Sequence, residues 1–136
     1  MTPEIEAFYP AIGNLLIEIP QVPFDAIALY AEAEEGVVSC NVFYLPEGGG
    51  VLMYRFGPLE LDRLVYDLWE KWRETPGLEP WRAILYTLRG RKMSIDIVYG
   101  DRFDENADDV ERRTAAVQAE LGKLKIDYSE AQPGSG

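Results

Sequence analysis

The sequence contains no histidine and only one cysteine, Cys40. Catalytic arrangements that pair a serine or cysteine nucleophile with a histidine base are therefore excluded. A single thiol cannot form an internal disulfide, so nothing indicates an oxidising compartment. Cys40 alternates with valines in a strand-like run, and free cysteines are commonly buried as small hydrophobic residues. We predict that Cys40 lies in the core.

Long hydrophobic runs are also missing. No uninterrupted stretch of about 18 apolar residues is present, so the sequence predicts no membrane-spanning helix. The N-terminal residues MTPEIEAFYP are acidic and lack the basic and apolar regions of a signal peptide. Together with the lone cysteine, these absences predict a cytoplasmic protein.

Basic residues are scarce. The chain has 13 Lys and Arg against 24 Asp and Glu, which gives a net charge of −11 at neutral pH. Such a chain is repelled by nucleic acid and by anionic membrane surfaces, so we expect neither as a partner. A basic protein, by contrast, is attracted to it, and its association is accelerated.

The length and composition suit one globular domain. The chain has 136 residues, of which 47% are hydrophobic, and this is enough to build a core without disulfides or metals. We predict a single domain over residues 1–128 and a flexible C-terminal tail over residues 129–136, where proline, glycine and serine cluster.

Hydrophobic periodicity and turn residues predict the element order α-β-β-β-α-β-β-α. We expect an α+β domain with three helices and a mainly antiparallel sheet of about five strands. In the first helix Thr2 is the predicted N-cap, and Pro10 and Gly13 predict a kink or a break into two short helices. The predicted elements are helix 2–19, strands 26–34, 37–45 and 51–56, helix 59–75, strands 81–89 and 92–100, and helix 108–121.

Two helices carry apolar stripes that identify candidate core residues. Trp69 and Trp72 lie on the stripe of the middle helix, so we predict that both are buried. In the last helix, Asp108 is the predicted N-cap. The residues predicted to face inward in that helix are Val110, Thr114, Val117 and Leu121.

The segment Tyr99–Arg113, YGDRFDENADDVERR, has the highest density of acidic residues in the chain. Burying an unpaired carboxylate costs several kcal/mol, so these side chains must lie in water, on a metal or against a basic partner. Its carboxylates are Asp101, Asp104, Glu105, Asp108, Asp109 and Glu111.

The acidic residues of this segment do not have the spacing of a calcium-binding loop. A calcium loop has an acid at its third position and glycine at its sixth, but counting from Asp101 these positions hold Phe103 and Asn106. A pair of acids acting as in glycosidases stays open, because their separation depends on the fold. The plainest reading is a solvated helix start, with Arg112 and Arg113 pairing with Asp108 and Asp109 at helical spacing.

An ordered set of short motifs resembles one known family. The segments IPQVPFDAIALYAEAEEGVVSCNVFYLPEG and GLEPWRAILYTLRGRKMSIDIVYGDRFDENADDVERR, ending in AELG, are similar to the YezG-like immunity proteins of bacterial polymorphic toxin systems. The matching positions are Ile19-Pro20, Ile27–Glu32, Val42–Tyr44, Pro80-Trp81, Ile95-Asp96, Tyr99–Asp101 and Arg112-Arg113. The resemblance covers residues 19–121, and Phe24 stands where tryptophan is more usual in the family.

The resemblance implies an antidote and not an enzyme: a small protein that binds and inactivates a toxin, commonly a nuclease. It implies no catalytic residue, cofactor or metal. An acidic surface suits this role, because nucleases hold phosphate in basic clefts. We therefore expect partner contacts at Asp101, Asp104, Glu105, Asp108 and Asp109. A second patch is expected at the first hairpin, on Glu32, Glu34 and Glu35.

Two other classes of function remain open. One is a metal-dependent hydrolase that uses carboxylates alone, which requires acids from distant segments to converge in a concave site. The other is a structural or adaptor domain that joins proteins through a sheet edge or an aromatic face.

Overall fold

Helices and strands occupy most of the computed structural model, which describes residues 2–130. Two short helices, α1 (Pro3–Glu6) and α2 (Phe8–Leu16), come first. The remaining elements are β1 (Phe24–Glu34), β2 (Val37–Pro46), β3 (Val51–Phe56), α3 (Leu59–Glu74), β4 (Ala83–Arg89), β5 (Lys92–Val98), α4 (Asp109–Leu121) and β6 (Lys125–Asp127).

The strands form one sheet in the order β5-β4-β1-β2-β3-β6. All neighbours are antiparallel except β3 and β6, which pair in parallel. The predicted α+β class, the mainly antiparallel sheet and the element order are confirmed. Residues 2–130 contain six strands instead of about five. The sequence did not predict β6, because its three residues are too few to show an alternating pattern.

The sheet is covered by helices on both faces. On the first face, alternate residues such as Ile27, Leu29 and Val42 pack against α1, α2 and α3. On the second face, Tyr30 and Phe43 belong to a core that also includes residues of α4. The buried side chains predicted from the sequence, Trp69, Trp72 and Cys40, all lie in the first of these cores, so those predictions are confirmed.

The N-terminal helix breaks at Ala7, between α1 and α2. Pro10 explains the position, because it has no N–H to donate to the carbonyl of Glu6 and its ring crowds that carbonyl. The Thr2 hydroxyl accepts the N–H of Ile5 at 3.2 Å, so the predicted N-cap is confirmed. The predicted break therefore occurs, but one turn earlier than Pro10 itself.

One predicted core position of α4 is wrong. Val117 and Leu121 are buried, but Val110 is 44% exposed. Val110 lies in the first turn of α4. The contact between this end of α4 and the sheet is made by Arg113, whose long side chain donates to the side-chain oxygen of Asn41 in β2.

The predicted tail falls mostly on residues 131–136, which lie outside the described residues. Its first two residues are described. The Ser129 N–H donates to Asp127 Oδ1 at 2.8 Å, and Glu130 Oε2 lies 3.1 Å from Arg55 Nη2.

Candidate functional site

The two acidic patches predicted from the sequence meet on one side of the molecule. Glu32 of β1 and Arg112 of α4 are 80 residues apart, yet their side chains form a two-pronged ion pair. Arg112 Nε lies 2.7 Å from Glu32 Oε2, and Arg112 Nη2 lies 3.0 Å from Glu32 Oε1. The Tyr30 hydroxyl also donates to Glu32 Oε2, at 2.8 Å. This pair fixes the start of α4 against the end of β1.

Arg112 also holds the acidic loop that precedes α4. Its Nη1 donates to the carbonyl oxygen of Asp104 at 2.9 Å and to that of Ala107. Its hydrogen bonds to Glu32 raise the pKa of the guanidinium, which therefore stays charged. The sequence predicted that Arg112 pairs with Asp108, which is wrong: the nearly buried Glu32 carboxylate takes the guanidinium, since it would otherwise lack a cation.

The loop itself is ordered by short-range hydrogen bonds. Asp104 Oδ1 accepts the N–H of Asn106 at 3.0 Å, a turn typical of aspartate. Asp108 Oδ1 accepts the N–H of Glu111 at 2.8 Å, so the predicted N-cap of α4 is confirmed. Asp109 lies 3.9 Å from Arg113, a loose pair at the predicted helical spacing.

Phe103 is clamped between two arginines where the loop crosses the sheet. The guanidinium carbon of Arg82 lies 4.1 Å from the ring centroid, and that of Arg112 lies 4.4 Å from it. Arg82 Nη1 also lies 2.7 Å from Glu105 Oε1, which ties the loop to the segment before β4. Cation–π contacts of this kind stabilise by about 0.5–2 kcal/mol each, so the two contacts favour this position of the loop.

An open cleft of about 450 Å³ lies between the loop and the tip of the first hairpin. Arg82, Phe103 and Arg112 form one wall, and Glu34 and Val37 of the hairpin line the other side. Val37 is 68% exposed, an unusual position for a large apolar residue. The cleft therefore combines an apolar contact with flanking carboxylates.

The eight predicted contact residues divide into two groups. Glu32, Glu105 and, more loosely, Asp109 are paired with arginines of the chain itself. The other five are exposed. Within residues 2–130, no ion pair within 4 Å involves Glu34, Glu35 or Asp101. We call the eight residues together the acidic face: Glu32, Glu34, Glu35, Asp101, Asp104, Glu105, Asp108 and Asp109.

Sequence reasoning missed an aromatic cluster beside the acidic face. The ring centroid of Tyr54 lies 5.4 Å from that of Phe56 and 4.9 Å from that of Tyr128. Arg113 lies over Tyr54 at 4.9 Å and donates to Asn41 Oδ1 at 3.1 Å. Phe56 and Tyr128 are 48% and 42% exposed. No signal marked them, because one ends a strand and the other follows the unpredicted β6.

Cys40 is an inert position in this arrangement. The Cys40 thiol is buried in β2. Burial is the largest cause that raises its pKa far above the ordinary value, and the negative charge of Asp62 raises it further. A thiol with a raised pKa is a poor nucleophile and a poor metal ligand.

Neither a metal centre nor a membrane-spanning helix is found in the described part of the chain. Among residues 2–130, no group of three or more Asp, Glu or Cys side chains is arranged to hold a metal ion. In the same part of the chain, no helix is both long enough and apolar enough to cross a bilayer.

Comparison with known proteins assigns no family. No protein-family model matches the chain, and no curated protein is significantly similar to it. The resemblance to the YezG-like immunity proteins therefore stays a prediction.

Proposed function

We propose that this protein is an antidote that binds a basic bacterial toxin, of the nuclease class, and occludes its active-site surface with the acidic face. The observation that carries the proposal is the meeting of two acidic patches from opposite ends of the chain. The Glu32–Arg112 ion pair joins the first hairpin to α4, and the Arg82–Glu105 ion pair joins the segment before β4 to the loop before α4. Two acidic segments that are distant in sequence are thus held on one side of the molecule.

The rigidity of the acidic face supports binding to a structured partner. Ordering a side chain on binding costs about 0.5–1.5 kcal/mol, and a surface ordered in advance avoids most of that cost. Arg112 contacts both Glu32 and backbone carbonyls of the loop, so the loop is held before any partner arrives. Carboxylates exposed on this ordered surface carry negative charge, as the phosphates of a nuclease substrate do, but they contain no bond that a nuclease cleaves.

Apolar residues next to the carboxylates provide candidate anchors. Interfaces gain most of their affinity from a few apolar or aromatic side chains, whereas charges mainly set association rate and specificity. Val37 lines the cleft, and the exposed ring of Tyr128 lies 5.9 Å from the guanidinium of Arg113. The exposed ring of Phe56 packs against Tyr54. The net charge of −11 adds long-range attraction to a basic partner.

The direct test is protection against the toxin encoded beside this gene. The purified protein should inhibit the toxin in a nuclease assay at one-to-one stoichiometry, and its expression should protect cells. Failure of both assays contradicts the proposal.

A charge-reversal pair tests the acidic face itself. Asp101→Lys combined with Asp104→Lys should slow association at low salt by about 10-fold or more. Glu18→Lys combined with Glu47→Lys changes the net charge equally at exposed positions away from the face, and should slow association much less. If the two double variants slow it equally, attraction is not localised at the acidic face.

The two other classes of function make different predictions. A carboxylate-based hydrolase must bind Mg²⁺, Mn²⁺ or Ca²⁺, so heat in a calorimetric metal titration favours it. An adaptor domain should capture several unrelated partners that are neither basic nor toxins.

A further inference from the structure

Among residues 2–130, strand β5 is a free edge of the sheet, since β4 is its only neighbour there. It pairs with β4 without interruption, from Arg89 opposite Lys92 to Ala83 opposite Val98. Natural proteins protect such edges with prolines, bulges, very short strands or charged side chains. The seven residues of β5 contain no proline and show no shift in register, and their only charges are Lys92 and Asp96, so a strand of complementary charge can still pair with this edge.

The geometry of the hairpin determines which backbone groups of β5 point outward. A two-residue turn at Gly90 and Arg91 makes Arg89 and Lys92 a hydrogen-bonded pair, and the pairs then alternate. The N–H and C=O groups of Met93, Ile95 and Ile97 therefore point away from β4.

One of these outward groups is already occupied. Arg102 Nη2 donates to the carbonyl oxygen of Ile97 at 2.6 Å, and the same nitrogen lies 3.0 Å from Asp96 Oδ1. Among residues 2–130, no side chain reaches the backbone groups of Met93 or Ile95 in this way. The open part of the edge is therefore centred on Ser94, which lies between them.

Charge is distributed unevenly along this edge. Arg89, Arg91 and Lys92 cluster at the turn, although basic residues are scarce in the chain as a whole. Asp96 and Asp101 lie at the opposite end, where Arg102 offsets one of the two negative charges, and Glu120 of α4 accepts from the Ser94 hydroxyl at 3.4 Å in the middle. When β5 of a second copy pairs antiparallel with this strand, the basic end of each strand lies against the acidic end of the other. This charge pattern favours antiparallel pairing with a second copy over parallel pairing or pairing with an unrelated strand.

We propose that two copies of this protein associate through β5, with the two-fold axis at Ser94. In this register Met93 pairs with Ile95 of the second copy through four backbone hydrogen bonds in total, and Lys92 lies opposite Asp96 of the second copy. A register centred on Ile95 would require the Ile97 carbonyl that Arg102 occupies, so it is disfavoured. The result is a continuous sheet of twelve strands. This proposal does not depend on toxin binding.

Disulfide trapping tests both the pairing and its register. In a non-hydrogen-bonded antiparallel pair the two Cα atoms are about 4.5 Å apart, close enough for a disulfide. Ser94→Cys should therefore give a covalent dimer under mild oxidation. Lys92→Cys is the matched control, because in this register Lys92 does not face itself, and it should stay monomeric. The buried Cys40 leaves the unmodified protein uncrosslinked.

Two further measurements keep the proposal testable without a disulfide. Sedimentation equilibrium of the unmodified protein should show a monomer–dimer equilibrium at micromolar concentration. Lys92→Glu places like charges opposite each other twice, so it should weaken the dimer by about 10-fold. Adding Asp96→Lys to Lys92→Glu should restore association. A monomer at all concentrations, or equal trapping of Ser94→Cys and Lys92→Cys, overturns the proposal.

Discussion

Replacing Arg112 by methionine tests whether the Glu32–Arg112 pair holds the acidic loop on the sheet. The two side chains are only 16% and 14% exposed, and methionine leaves the Glu32 carboxylate with the Tyr30 hydroxyl as its remaining side-chain donor. Removing one partner of a fully buried ion pair costs about 3–5 kcal/mol. Because this pair keeps some solvent contact, we expect Arg112→Met to lower the free energy of unfolding by about 2–4 kcal/mol.

A double-mutant cycle separates the pair from the other contacts of Arg112. Glu32→Gln alone should cost about 1.5–3 kcal/mol, the range for a hydrogen bond to a charged group. The double variant should lose little more than Arg112→Met alone, which corresponds to a coupling energy of at least about 1.5 kcal/mol. Glu34→Gln, an exposed acid two residues further along β1, is the control and should change stability by less than about 0.5 kcal/mol.

The measurement is urea unfolding at neutral pH, with hydrogen exchange as a second readout. In thermal unfolding, Arg112→Met should lower the melting temperature by about 3 °C for each kcal/mol of stability lost. It should also speed exchange in residues 99–108, because the carbonyls of Asp104 and Ala107 lose their common donor. If Arg112→Met and Glu32→Gln behave like the Glu34→Gln control, with no coupling, the pair does not hold the loop.

Three other predictions concern single positions. Asp108→Ala removes the N-cap of α4 and should cost about 1 kcal/mol in urea unfolding, whereas Asp101→Ala, which caps nothing, should be neutral. The Cys40 thiol should resist a thiol reagent in the folded protein at alkaline pH and react fully in denaturant, because burial raises its pKa; fast reaction in native buffer contradicts this. Burial also raises the pKa of Asp62 above the ordinary 3.8, so the folded state holds this proton more tightly than the unfolded state. The stability that Asp62 contributes is therefore complete below pH 3.8 and lost as pH rises through the folded pKa. Asp62→Asn should accordingly gain stability relative to the unmodified protein as pH rises above 3.8. A difference that stays constant over that rise refutes the assignment.

Local patterns were sufficient to predict most of the fold. The apolar stripe of α3 recurs every three or four residues, and Trp69 and Trp72 on it are buried as expected. Turn residues at Glu35-Gly36 and Gly90-Arg91 marked both hairpins, because Gly36 and Gly90 adopt positive φ angles that other residues rarely take. Short-range chemistry of this kind can be read from one segment at a time.

Contacts between distant segments were not predictable in the same way. Helical spacing pointed Arg112 at Asp108, but the nearly buried Glu32 of β1 is its real partner. The choice depends on burial, because an ion pair with little water around it is much stronger than an exposed one at equal distance. The same limitation hid β6 and the exposed ring of Tyr128, since both depend on where the chain returns to β3.

The internal ion pairs give the carboxylates of the acidic face two different roles. Glu32 and Glu105 are neutralised by arginines, which lowers the net charge of the face but orders the loop between β5 and α4. Glu34, Glu35 and Asp101 form no ion pair within residues 2–130 and contribute little to stability, because they lie in water. If the face binds a basic partner, removing these three acids should therefore slow association and leave stability unchanged. Variants of Glu32 or Arg112 should instead lower stability and speed dissociation, because the partner must then order the loop itself.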